Sequence, residues 1–418
     1  MLDFCDEPYR DFPPKDIPPW RWVLNWYNHS RFLPAAKRIT KLIVHGSETL
    51  NQTRKPGDRL VLMPNHPTHA DASIMLEASR RAGLTTQMMA AYDVFLRSKL
   101  DAFIMRRLGA FSVDREGSDA RAMKTALGVL EKGRHALVVF PEGNVYLEGD
   151  RVTPFSEGAS FIALRAARQL KDQGHRVLAV PVSIKATHLT DCRSLVEERL
   201  EALAKAVEVE LPTNATPIEV MRLIGIALLH RNLKLRGLDT PEANDFHALI
   251  GHAGGVVMDK LEAKLTAPCK PGTDLKERVR KARQKIHEVR TDPDRIADHA
   301  AAATWADEAM LALRLASYSD SYAASHPTLD RIEETSEKLA EDLHRRMMPP
   351  IADRAAYVRF NEPLPLCEYI AERRAGRKQV RDLTARCESA VQRGIGLLNQ
   401  ANPHPGGVMW DASEPTHP

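Results

Sequence analysis

The chain has 418 residues, 43% of them hydrophobic and 27% charged, with a formal net charge of +4. That balance fits a globular chain with ample apolar mass for a core and excludes a low-complexity one. The small net charge gives no ground for nucleic-acid binding and leaves room only for local basic patches facing an anionic membrane surface.

The five cysteines, Cys5, Cys192, Cys269, Cys367 and Cys387, are scattered and form no C-x-x-C pair. This reads against a disulfide framework or a cysteine zinc site and for a reducing compartment. The start, MLDFCDEPYRDFPPKD, is acidic and lacks the apolar stretch of a signal peptide. No window approaches the roughly 18 apolar residues of a membrane span. The expected location is cytoplasmic, with any work on lipid done from the surface.

Residues 1–34 read as an N-terminal extension: a Pro-rich, extended stretch, then PPWRWVLNWYNHSRFLP. Trp22, Val23, Trp26 and Tyr27 share a helical face flanked by Arg21 and Arg31, and Pro19 suits a helix start. Such a helix either lies in a bilayer interface or packs on the main domain. Over 35–190 the pattern alternates. Strand-like runs RLVLMP, GAFSVD, ALVVFP and VLAVPVSI are separated by helical runs, two of which end at Gly133 and Gly174. This predicts an α/β fold, a mostly parallel sheet covered by helices. Over 191–350 the texture is helical. The segment TDLKERVRKARQKIHEVRTD, charged nearly all round, reads as a solvated helix. Residues 351–398 read as a further strand, AAYVRFNEPLPL, and a final helix from about 366. Residues 399–418 read as a disordered tail.

Polar residues cluster where the apolar strands end: Asn65, His66 and Asp71 after the first, Asp114 and Arg115 after the second, Glu142 and Gly143 after the third, Lys185 after the fourth. Ligands of open α/β sheets bind outside the carboxyl ends of the strands, so these groups are expected to share a crevice. The stretch NHPTHAD admits three readings. Thr68 and Asp71 fit a capping box. His66 and Asp71 fit a general base and its orienting carboxylate. His66, His69 and Asp71 fit a partial metal site, which would make the protein a metal-dependent hydrolase, although no further ligand follows nearby. No nucleophile elbow such as G-x-S-x-G is present, which favours direct attack by a substrate hydroxyl.

Four blocks in order, NHPTHAD, GAFSVDR, FPEG and VPVSI, resemble those of the glycerophospholipid acyltransferases, which include the 1-acylglycerol-3-phosphate and glycerol-phosphate acyltransferases. The blocks are met by His66 and Asp71, by Gly109, Phe111, Asp114 and Arg115, by Phe140 to Gly143, and by Val180, Pro181 and Val182. VHGSETL, PFSEGAS and VRFNEPLPL are similar to three supporting segments of that family. The resemblance implies a glycerol-phosphate acyltransferase-like fold in which 191–350 is an insertion and the strand near 358 returns to the sheet. It implies transfer of a fatty acyl group from acyl-CoA or acyl-carrier protein, as co-substrate and with no other cofactor or metal, to a hydroxyl of lysophosphatidate or glycerol 3-phosphate. A different lysolipid or alcohol acceptor is the alternative. His66 would be the base, Asp71 its orienter, Arg115 the phosphate ligand, and Glu142 and Gly143 the glycerol ligands, with Asn65, Gly109, Asp114 and Pro181 completing the substrate site. The partners implied are the acyl thioester, a glycerolipid and an anionic membrane. Two cations of the family pattern are absent: Asn144 and Val145 follow FPEG, and Ser156 replaces a lysine. Lys185 and Arg151 are the expected substitutes.

Overall fold

The computed structural model describes residues 9–115, 119–240, 246–318, 322–370 and 376–411. Cys5 and the end of the tail lie outside them.

Eight strands form one sheet: β1 (Ile39–His45), β2 (Arg59–Pro64), β3 (Thr86–Ala91), β4 (Ala110–Val113), β5 (Ala136–Val138), β6 (Val177–His188), β7 (Arg354–Phe360) and the short β8 (Leu364–Pro365). The order is β1-β7-β6-β2-β5-β3-β4, with β8 beside the start of β6. Strands β2 to β6 run parallel. β7 runs antiparallel to β6, and β1 runs parallel to β7. The start of β1 therefore lies at the same edge as the carboxyl ends of β2 and β6. The sheet is mostly parallel and helix-covered, as expected from the continuous apolar strands.

β2 is buried along its whole length, as a central parallel strand covered on both faces must be. Side chains alternate along a strand. Leu60 and Leu62 join one core with Ile74, Met75 and Ala78 of the Asp71–Arg81 helix. Val61 and Met63 join the other, with residues of the helices Ala120–Lys132, Gly158–Lys171 and Arg377–Gln400.

Between β6 and β7 the described residues hold helices and no strand of the sheet. Helices Phe246–Leu265, Leu275–Thr291 and His299–Ser317 share one core. Helices Arg193–Ala206, Pro217–Lys234 and Leu329–His344 share another. The last of these carries a buried acidic face, Asp330, Glu333, Glu334, Glu337 and Glu341, turned toward cations of the sheet. Lys185, 2% exposed, sits 2.7 Å from Asp150 and 3.4 Å from Asp330. Burial opposes the Lys185 charge, but Asp150, Asp330 and Glu334 outweigh it and hold the ammonium above the ordinary lysine range. Asp330 is in turn held down to about 2, the nearby Lys185 overcoming the effect of burial.

Three details differ from the sequence reading. β3 was not expected, because TQMMAA has few of the β-branched residues that mark strands. The final helix begins at Arg377 rather than near 366. The described part of the expected tail, to residue 411, packs on the fold: Trp410 is buried, and its backbone N–H donates to Pro327 O at 2.7 Å.

Candidate active site

The carboxyl ends of β2 to β5 open on a crevice of about 910 Å³, at the upper end of what small-molecule sites usually offer. His66, Asp114, Arg115, Glu142 and Gly143 all line it.

His66 leaves β2 just before the Asp71–Arg81 helix. Its Nδ1 lies 2.9 Å from Asp71 Oδ2, and its ring stacks on Phe140 at 4.3 Å between centroids. Asp71 is fully buried. It also accepts the Thr68 backbone N–H on Oδ2 and the Thr68 hydroxyl on Oδ1, both at 2.8 Å. The expected capping box forms only by half. Asp71 accepts the Thr68 N–H, but the Thr68 hydroxyl oxygen accepts from Ala70 N at 3.1 Å, and the helix is capped at Ala70 without a side chain. With the Nδ1 side facing a carboxylate, the other ring nitrogen is the one left for the crevice. That is the arrangement of a base whose tautomer is fixed from behind.

The metal reading of this stretch is overturned. His69 Nε2 is turned to Glu341 of the helical insertion at 2.9 Å, away from a shared centre with His66 and Asp71. Among the described residues no group of three or more histidines, cysteines and carboxylates could hold a metal ion.

Glu142 is buried and takes a different part from the one expected. Its Oε1 accepts the His66 backbone N–H at 2.9 Å, and its Oε2 accepts the Thr153 hydroxyl. Burial pushes its pKa up to about 7 despite these donors. It fixes the chain that carries His66. Arg115 donates from Nη1 to Gly143 O at 3.0 Å and Asn144 Oδ1 at 2.9 Å, and its Nη2 is 3.3 Å from Asp93. Asp114 faces His287 of the insertion at 3.2 Å.

Three expected substrate residues lie elsewhere. The Asn65 amide is spent on the backbone of Ile184, at 3.0 Å and 2.7 Å, tying β2 to β6. Gly109 stands at the opposite end of β4, where its positive φ and the closeness of Arg21 and Thr86 require a glycine. Pro181 is buried within β6, its carbonyl accepting from Asn361 at 3.0 Å. The two substitutes for the missing cations are also elsewhere: Lys185 is locked in its carboxylate cluster, and Arg151 pairs with Glu148.

The structure adds residues that no local motif marked. Lys37, before β1, and Arg97, after β3, line the crevice, as do Lys276 and Arg280 of the Leu275–Thr291 helix. That helix was read as solvated. In the fold it buries Val279, Ala282, Ile286 and Val289 and forms part of the crevice wall. The signal was its apolar stripe, diluted by the surrounding charge.

A mostly parallel sheet thus sets a histidine backed by a carboxylate outside its central strand, at the edge of a crevice. Residues 41–185, which include β2 to β5, the His66–Asp71 pair and Arg115, match the family model described as Acyltransferase. The chain thus carries a domain of the acyltransferase family, that of the glycerophospholipid acyltransferases, and this domain supports acyltransferase activity. No curated protein matches the chain.

Proposed function

We propose that the protein moves a fatty acyl group from acyl-CoA or acyl-carrier protein to a hydroxyl of a glycerophospholipid precursor, lysophosphatidate or glycerol 3-phosphate. The observation that carries this reading is the His66–Asp71 pair at 2.9 Å, opening on the crevice of an acyltransferase-family domain. His66 takes the proton of the acceptor hydroxyl as its oxygen attacks the thioester carbonyl. Asp71 stabilises the imidazolium so formed. The tetrahedral oxyanion needs donors, and one well-aimed donor is worth about 3 kcal/mol. The Gly143 amide is already given to Phe140 O at 3.1 Å. The helix start at Ala72, which lines the crevice, is the better source. Collapse of the intermediate expels the thiolate, which takes up a proton, and leaves the ester.

Access to lipid is proposed from the N-terminal helix, Pro18–Tyr27. It is anchored by buried Arg21 and Leu24, with Arg21 donating to Asp16 at 2.6 Å and to Thr86 O at 3.0 Å. Trp22 and Trp26 remain 73% and 57% exposed. Anchored on one face and aromatic on the other, it suits peripheral docking on an anionic bilayer. No described helix is long and apolar enough to cross a membrane.

The test is acyl transfer from acyl-CoA and from acyl-carrier protein to a panel of acceptors, with purified protein and vesicles. Transfer to a phosphate-bearing glycerolipid that is lost in His66→Ala supports the reading. Transfer that survives His66→Ala, or is absent across the panel, refutes it.

A further inference from the structure

The cations that the family pattern places after FPEG and in the segment at 156 are missing, and their expected substitutes point elsewhere. Two others reach the crevice from opposite flanks of the sheet. Lys37 lies two residues before β1, whose start is at the carboxyl edge of β2 because β1 runs against the central strands. Arg97 follows β3, on the other side of β2. Both line the crevice with His66 and Arg115.

Among the described residues neither cation has a carboxylate at ion-pair distance. Lys37 Nζ stands 5.6 Å from the centre of the Phe32 ring. Arg97 Nη1 meets only the Met347 sulfur, at 3.9 Å. Lys37 is half-buried. Burial first, then the charges of Arg354 and Arg97, pull its pKa below the ordinary lysine value, against a weaker pull from Glu337 and Asp71. Neither carboxylate stands in an ion pair with it among the described residues. Asp71 already serves His66 and Thr68. Glu337 is held toward its neutral form, by burial first and then by Glu333. The other crevice carboxylates are also engaged: Asp93 with Arg115, Asp114 with His287, Glu277 with Arg280, and Asp119 and Asp274 at helix starts.

Lys37, half-buried, and Arg97, exposed at the crevice mouth, are like charges without an ion pair, and the cost to Lys37 is one that an anionic ligand would relieve. We propose that Lys37 and Arg97 form a binding site for a phosphate group of the substrate, beside the His66–Asp71 pair. The arginine supplies a planar two-pronged donor and the lysine a point charge, the complement a terminal phosphate calls for. The inference deepens the acyl-transfer reading and rests on it for what carries the phosphate: the acceptor, or the nucleotide end of acyl-CoA. Binding itself needs no turnover.

The experiment is titration calorimetry on the full chain with inorganic phosphate, glycerol 3-phosphate, monomeric lysophosphatidate and coenzyme A. Wild type is compared with Lys37→Met, Arg97→Gln and the double variant. Each single change is expected to weaken at least one organic ligand about tenfold or more, and the double variant more than either. Loss confined to the glycerol phosphates assigns the site to the acceptor; loss confined to coenzyme A assigns it to the donor. Lys37→Met is also expected to melt at or above the wild-type temperature, because it removes a repelled, desolvated charge. Three results overturn the proposal: wild type binding none of the four at millimolar concentration, both variants binding all of them within twofold of wild type, or Lys37→Met melting lower with binding unchanged. The two readings fail separately. Lys37- and Arg97-dependent binding without acyl transfer sinks the acyl-transfer reading alone; transfer with unchanged affinities and KM sinks the phosphate site alone.

Discussion

Asp71→Asn isolates the carboxylate charge behind His66. Its geometry favours one outcome. Asp71 Oδ2 faces both the Thr68 N–H and His66 Nδ1, while Oδ1 faces the Thr68 hydroxyl. An asparagine that keeps its oxygen at the Oδ2 position keeps both of the first two contacts, and its NH2 then meets a hydroxyl able to turn and accept. The opposite orientation sets NH2 against the Thr68 N–H, donor against donor. The tautomer is therefore kept and only the charge is lost. At an effective dielectric of about 20, opposite charges about 4 Å apart attract by about 4 kcal/mol, which corresponds to roughly a 10³-fold change in rate. The expected result is a kcat about 10³-fold lower with KM little changed, followed by thiol release from acyl-CoA. Urea unfolding should move by only about 1–2 kcal/mol, since the Thr68 O–H alone loses its acceptor. A kcat within tenfold of wild type, or a loss carried by KM, would refute the assignment of Asp71 as the group that stabilises the imidazolium.

Glu142 titrates at about 7 in the fold, against an ordinary 4.5. Between those values the folded state holds the extra proton, so stability falls as pH rises through that window, by up to about 3 kcal/mol. Glu142→Gln should flatten that part of the denaturation-versus-pH profile and be the more stable form at pH 8; an unchanged slope counts against it. Lys185→Met removes a buried cation from Asp150 and Asp330, leaving Asp150 with Arg331 and Asp330 with His188, and is expected to cost about 3 kcal/mol by urea unfolding. Any surviving activity should show an unchanged acceptor KM, and a raised KM would restore Lys185 to the substrate site. Trp22→Ala with Trp26→Ala should weaken binding to anionic vesicles roughly tenfold or more, from the apolar area removed, with the melting temperature unchanged. Equal sedimentation of the variant with vesicles would refute the docking face.

The strands that carry the blocks were legible because a central parallel strand is a continuous apolar run, and polar residues after it mark the crevice edge. His66, Arg115 and Glu142 line the crevice where that pattern puts them, with Asp71 behind His66. The direction in which a side chain points was not legible. Asn65 follows the same strand as His66 but turns sideways to Ile184, and Pro181 sits in a conspicuous block because β6 changes partner there. Glu142 was found, but its engagement with the backbone of His66 was not, since nothing local records a bond spanning 76 positions. Lys37 and Arg97 were invisible for the same reason. Each is an ordinary surface-type residue until the reversed direction of β1 brings the two flanks together. The Leu275–Thr291 helix was misread because its arginine and lysine stems share a face with its apolar stripe.

The placement of β7 between β1 and β6 also has a consequence for how the chain is made. β1 pairs in the sheet with β7, roughly 300 residues further along. At about 5–20 residues per second, synthesis leaves β1 waiting roughly 15–60 s after it emerges. The central strands β2 to β6 can assemble in that interval, and β1 then stands as an unpaired strand open to wrong pairing. A chain truncated before residue 354 would expose both β1 and the flank of β6 where β7 belongs.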